Sequence, residues 1–192
     1  MSQIVAEAIA KRTNRDATEL LYDRMLERDG RELLLVPVLN YSELSADPIR
    51  EMMFHPRASL GLGDGGAHCG VICDASIQTF MLTHWVRDRS HDQLLLEFVV
   101  NKMTAQTAAL YGLGDRGALV PGLLGDANVI DFDALRLPLP ELVHDLPADA
   151  RRFVQGSEGY VATIGALRRI APVDPKKGAL NAKMPPSDAT SQ

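Results

Sequence analysis

The chain has 192 residues, 46% hydrophobic and 23% charged, enough apolar material for one core or two small ones. Twenty basic residues against twenty-five acidic give a net charge of −5, and no Lys/Arg cluster offers a grip on a phosphate backbone, so nucleic acid is excluded as the expected partner. The longest clean apolar run, Leu33 to Leu39, is seven residues, against the roughly 20 that a membrane span needs.

Met1 to Arg12 alternates polar and apolar residues and lacks the continuous apolar stretch of a signal peptide. Two cysteines, Cys69 and Cys73, cannot build a disulfide framework. The expected setting is therefore reducing and cytoplasmic, with no membrane partner. A complete eight-stranded α/β barrel runs to about 250 residues, longer than this chain.

Asp16-Ala-Thr-Glu19 has the form of a capping box and predicts a helix with Ala17, Leu20, Leu21 and Met25 on its apolar face and Gly30 as its stop. Leu33 to Leu39 reads as a strand buried on both faces, with a bulge or strand end near Pro37. Ser45 is placed to cap a helix with Pro48 in its first turn and Ile49, Met52 and Met53 on one face. Ala58 to Leu62 reads as a second short strand. Strand, helix and strand with short connections form a βαβ unit, whose strands are expected to be parallel and adjacent.

Helical patterns return at Ser76 to Arg87 and at Ser90 to Met103, where Ser90 and Gln93 resemble a second capping box. A short helix over Thr104 to Tyr111 is closed by Gly112, and Ala127 to Phe132 and Tyr160 to Ile164 read as strands. From Pro172 onward, prolines with few large apolar residues read as a tail.

The segment richest in chemistry is Gly61-Leu62-Gly63-Asp64-Gly65-Gly66-Ala67-His68, with four glycines in six positions at the end of an expected strand. C-terminal strand ends form the active-site face of parallel α/β sheets and barrels. Four readings fit. Asp64 can bond its own backbone in a glycine-rich turn. Gly61, Gly63 and Gly66 spell G-x-G-x-x-G, with Asp88 about 20 residues on, the pattern of a dinucleotide-binding domain; Asp64 would then place a carboxylate where the pyrophosphate sits. His68, Cys69, Cys73 and Asp74 are zinc-ligand types, although a single Cys-x-x-x-Cys lacks a second ligand pair. Lastly, Asp64 can be the metal ligand and proton shuttle of a hydrolase.

Three motifs, in order, resemble the C-terminal part of an amidohydrolase-superfamily enzyme of the D-aminoacylase (N-acyl-D-amino-acid deacylase) group, over roughly residues 6–164. The first is His55-Pro56-Arg57 followed by Leu60 through His68. The second is Lys102-Met103-Thr104 through Ala108-Ala109-Leu110-Tyr111-Gly112-Leu113. The third is Asp115-Arg116-Gly117 through Pro121-Gly122, followed by Asp126-Ala127-Asn128-Val129-Ile130-Asp131-Phe132.

The resemblance implies an α/β fold: the last βα units of a metal-dependent hydrolase TIM barrel over 1–112, part of a small β-sandwich over 113–164, and a divergent, disordered tail over 165–192. It implies hydrolysis of the amide bond of N-acyl-D-amino acids or similar N-acyl amines. Asp64 occupies the position that coordinates metal and carries the proton from the attacking water to the leaving amine. His68, in the same segment, would orient substrate or stabilise the oxyanion. Zinc is the implied cofactor of the complete enzyme.

That family draws most metal ligands from a His-x-His pair and further histidines, and none of His55, His68, His84, His91 and His144 has His-x-His spacing. The chain is thus expected to be a fragment, inactive alone, that self-associates through open strand edges or pairs with a complementing N-terminal chain. A non-catalytic interaction module and a dinucleotide-binding domain are the alternative readings.

Overall fold

The Asp16 carboxylate accepts the backbone N–H groups of Thr18 and Glu19 at 2.9 and 3.0 Å, satisfying two donors that the first turn of a helix leaves unpaired. Helix α2 (Ala17–Gly30) starts there, where the sequence places it. Its stop lies earlier than Gly30. Glu27 leaves helical geometry, and Arg28, Asp29 and Gly30 take left-handed φ values of 54, 59 and 76° in a turn that no single glycine accounts for.

The computed structural model describes residues 3–35, 45–61, 63, 70–71, 74–165 and 168–171. The chain divides into two compact units, Met1–Ala58 and Ser59–Gln192.

In the first unit, helix α1 (Gln3–Thr13) precedes α2, and Ala10 and Leu20 bury together with Ile9, Ala17 and Leu21 around them. From Gln3 onward that alternation thus belongs to a helix, whose one apolar face is enough to pack on α2. An Arg15–Asp23 ion pair ties the turn between the two helices to α2.

The strand expected at Leu33 to Leu39 is not formed over 33–35, where the Leu33 N–H is donated to the Glu32 side chain at 3.2 Å instead of to a ladder. The remainder, with Pro37, lies outside the described residues. Helix α3 (Asp47–Phe54) is as expected, with Pro48 in its first turn; Ala46 is its cap residue, and the Ser45 hydroxyl accepts the Asp47 N–H at 3.1 Å. Met53 is buried, whereas Met52 turns outward.

The expected strand Ala58 to Leu62 is irregular over 58–61, and Leu62 is outside the described residues. The Ala58 N–H closes a turn onto His55 O at 3.0 Å, so it is unavailable to a neighbouring strand. The expected parallel βαβ pairing is therefore corrected: every strand pair among the described residues is antiparallel. An apolar run becomes a strand only when a neighbour takes its backbone groups.

The second unit opens with helix α4 (Ile77–Phe80), which continues into a π-helical segment, Met81–Asp88. Helix α5 (Leu96–Met103) begins six residues later than the sequence suggested. Ser90 and Gln93 do not form its capping box. Gln93 Nε2 donates to Arg87 O at 2.6 Å and the Ser90 hydroxyl pairs with His91 Nδ1 at 3.1 Å, so both side chains close the turn behind the π-helical segment.

Helix α6 (Ala105–Leu110) ends at Gly112, whose φ is +70°; Gly112 N–H donates to Ala109 O and Leu113 N–H to Ala108 O. These two bonds are a Schellman closure and explain the glycine.

Strand β1 (Ala127–Ile130) pairs with β4 (Tyr160–Gly165), and β4 with β5 (Arg168–Ala171); β2 (Glu141–Leu146) and β3 (Ala150–Val154) form a separate hairpin around Pro147–Asp149. The hairpin strands are rich in charge and did not read as strands. Residues 168–171, expected within the tail, instead add an edge to the three-stranded sheet.

The core of this unit gathers Met81, Leu82, Trp85, Leu94, Val99, Ala108 and Leu135, with Val99 and Leu135 fully enclosed. Among the described residues, no helix is long and apolar enough to cross a membrane.

Candidate functional site

The chemistry expected from the sequence centres on Asp64 and His68. Both lie outside the described residues, as do Cys69 and Cys73. The structure does describe the two ends of their segment. A Cβ placed on Gly63 would collide with the Asp74 carbonyl oxygen and lie 3.0 Å from Ile77 Cγ2 and 3.3 Å from Ala75 Cα. Gly63 is thus pressed against the residues that lead into α4, a close approach only glycine permits.

Helix α4 is held from the far side. The Ser76 hydroxyl donates to Gln155 Oε1. Thr79 Oγ1 and the Tyr160 hydroxyl share a hydrogen bond of 2.8 Å, and Gln155 Nε2 donates to Pro138 O at 2.8 Å. Thr79 is buried and Tyr160 half-buried, so this bond is partly shielded from water.

Further along, the Arg87 guanidinium donates to three main-chain carbonyls, Phe132 O at 2.6 Å, Leu135 O at 2.9 Å and Asp133 O at 3.3 Å. It also forks onto Asp88, and this hydrogen bond, reinforced by the charge of Arg87, holds the Asp88 carboxyl below the usual carboxylate range. These side chains join the helical layer to the strands of the same unit.

The π-helical segment carries an aromatic group. His84 stacks on Phe80 at 4.8 Å and meets Trp85 edge-on at 5.2 Å, while the Arg89 guanidinium lies 4.7 Å over the Trp85 ring. Burial first, and then the Arg89 charge, lower the His84 pKa, with Asp88 opposing. The folded chain therefore binds this proton less readily than the unfolded one, whose imidazole titrates near about 6.5. The stability contributed is complete above that value and is lost as pH falls below it. Urea denaturation is expected to show lower stability at pH 5.5 than at pH 7.5, with a smaller difference in His84→Gln; equal pH dependence in the two proteins would contradict this.

Arg116 bridges Asp115 at 3.0 Å and Asp126 at 3.2 Å, and Leu124 N–H donates to Asp115 O at 2.8 Å. Gly117, at φ +97°, packs where a Cβ would sit 2.7 Å from Ala108 Cβ. The first part of the third motif, Asp115-Arg116-Gly117 through Pro121-Gly122, accordingly lies in a turn, closed by these contacts, that delivers the chain from α6 into β1, the second part.

His55 caps α3 and accepts the Arg57 N–H through Nδ1 at 3.2 Å, as its place before Pro56 suggests. It borders a shallow groove of about 540 Å³ with Pro48, Glu51, Met52, Arg57 and Ala58. His91 and His144 are exposed. Among the described residues, no group of three or more His, Cys, Asp or Glu could hold a metal ion.

The dinucleotide reading gains nothing. Residues 58–61 form no strand, the first described helix after Gly66 starts at Ile77, and Asp88 is engaged by Arg87. The tethering residues Gln155 and Tyr160 were invisible to sequence reasoning, because they meet α4 across 79 and 81 positions and no local pattern marks them.

A family model, that of the amidohydrolase family, matches residues 7–165. Comparisons with curated proteins and with solved structures give no match.

Proposed function

The chain belongs to the amidohydrolase family, and from that membership we propose that it is part of a D-aminoacylase-like hydrolase that cleaves the amide bond of N-acyl-D-amino acids or similar N-acyl amines. The observation that carries the reading is the family match itself, which spans the Asp64 segment and continues to the last residue of β4. Residues 1–112 then correspond to closing units of the barrel and 113–164 to part of the accompanying β-sandwich.

Asp64 is the carboxylate that receives a proton from the attacking water and returns it to the leaving amine, a role that suits a group able to alternate between base and acid. His68 steadies the carbonyl oxygen or the substrate. Zinc is the cofactor proposed for the complete enzyme. The described residues do not make a site for it, and one carboxylate with one imidazole falls short of the four ligands zinc prefers. The remaining ligands are proposed to come from a complementing polypeptide, in the cytoplasm.

The test is hydrolysis of a panel of N-acyl-D- and N-acyl-L-amino acids, with and without Zn²⁺, by this chain alone and co-expressed with a polypeptide bearing the His-x-His part of the barrel. Release of free amino acid by the complemented sample alone is expected. Absence of release from every substrate in both samples would overturn the reading.

A further inference from the structure

The turn that closes the π-helical segment hangs on one buried guanidinium. Arg89 N–H donates to His84 O at 3.0 Å, its Nε donates to His91 O at 2.9 Å, and its charge lies 4.7 Å over the Trp85 ring. Leu94 N–H returns to Trp85 O at 2.8 Å and Gln93 Nε2 to Arg87 O at 2.6 Å, so residues 89–94 fold back onto the last carbonyls of the segment before α5 begins. His84 lies inside this arrangement. It is half-buried, stacked on Phe80 with the ring planes 8° apart, and edge-on to Trp85.

We propose that His84 is an acid-sensitive latch: as a neutral ring it belongs to the aromatic group that keeps residues 89–94 closed on the π-helical segment, and once protonated it favours opening of that turn while the sheet of the same unit stays folded.

The reason is the company the imidazole keeps. Phe80 and Trp85 take water from it, which penalises the charged form, and a proton would set a second cation beside the indole that Arg89 already covers. Asp88 is the anion that opposes both effects, and its carboxylate is engaged by the Arg87 fork. Neighbouring elements offer little more. Helix α4 carries no titratable side chain, and α5, packed on the segment, carries exposed Glu97 and Lys102, whose ammonium lies 5.5 Å from the Phe98 ring centre. In the turn, His91 pairs with Ser90 and Asp92 is exposed; from the strands, Tyr160 is bonded to Thr79 and Asp133 acts on Arg87. Opening the turn lets the imidazolium and Arg89 separate and regain water.

The experiment is amide hydrogen exchange of the full chain at pH 7.5 and 5.5, corrected for the intrinsic pH dependence of exchange, in the parent and in His84→Phe, His91→Gln, Asp88→Asn and Arg89→Gln. A free imidazole titrates near about 6.5, so at pH 5.5 the proton can favour the open form by at most about tenfold. A severalfold acid-induced rise over residues 84–95, within that bound, is expected in the parent and in His91→Gln, with no rise in β1 or β4. His84→Phe keeps the stacked ring without the titration and should abolish the rise. Asp88→Asn removes the opposing anion and should enlarge it, whereas Arg89→Gln removes the repelling cation and should shrink it.

An equal rise in the parent and His84→Phe, loss of the rise in His91→Gln, a matching rise in β1 and β4, or a smaller rise in Asp88→Asn would each overturn the proposal. Should Arg89→Gln fail to fold, His84→Phe and the exposed Asp88→Asn decide it between them.

Discussion

Asp64→Asn is expected to lower kcat of the complemented enzyme by a factor of about 10²–10⁴, the usual worth of a positioned acid–base group. Asparagine keeps the size and shape of the side chain, and its amide oxygen still accepts hydrogen bonds, but the amide cannot take up a proton near neutral pH and return it. The loss should therefore fall on turnover. KM should stay within a few-fold of the parent, and the acidic limb of the pH–rate profile, set by the carboxylate becoming protonated, should vanish. Circular dichroism and thermal melting should be unaltered, since the substitution removes no apolar burial. The measurement is steady-state hydrolysis across pH by parent and variant; a variant within about twofold of parental kcat takes Asp64 out of the chemistry.

Trp85→Ala should be the most damaging single substitution for the fold. The ring is 3% exposed, the only tryptophan of the chain, and lies where the π-helical segment meets the core of the second unit. Its removal strips apolar burial, the face over which Arg89 lies at 4.7 Å, and the edge contact with His84. Large-to-small truncation of a buried aromatic residue costs about 3–5 kcal/mol, a large share of the stability of a domain of this size. Trp85→Phe retains an aromatic face for Arg89 and should cost less, about 1–3 kcal/mol. Urea denaturation followed by circular dichroism gives both values, because the variants lack the fluorophore. A Trp85→Ala loss below about 1 kcal/mol would mean that the core does not depend on this ring.

The parts of the fold that could be read in advance are those whose cause is local. Asp16 caps α2, Pro48 enters α3 in its first turn, and Gly112 ends α6 through a Schellman closure, because each outcome needs only residues within one or two turns. Strand β1 was legible from alternation. The second capping box failed for an instructive reason: Ser90 and Gln93 have the right types and spacing, yet the π-helical segment ends just before them, and its free Arg87 carbonyl competes successfully for the Gln93 amide. The hairpin β2–β3 escaped notice because its cross-strand partners, such as Asp145 and Arg152 at 2.7 Å, are charged and give no apolar period.

The candidate site divides along the same line. The residue types at Asp64 and His68, their glycine setting and the order of the three motifs are properties of the sequence, as is the match of the amidohydrolase family model over residues 7–165. What grips the base of α4 is a tertiary matter. Thr79 finds Tyr160 and Ser76 finds Gln155 only after the chain has run through the π-helical segment, α5, α6 and three strands, and Arg87 finds its carbonyls beyond β1. Residue order decides local hydrogen-bond competition and the chemistry that each side chain can offer. Which distant partner a given donor or acceptor meets depends on how helices and strands pack, since a hydrogen bond forms only between groups brought within about 3 Å.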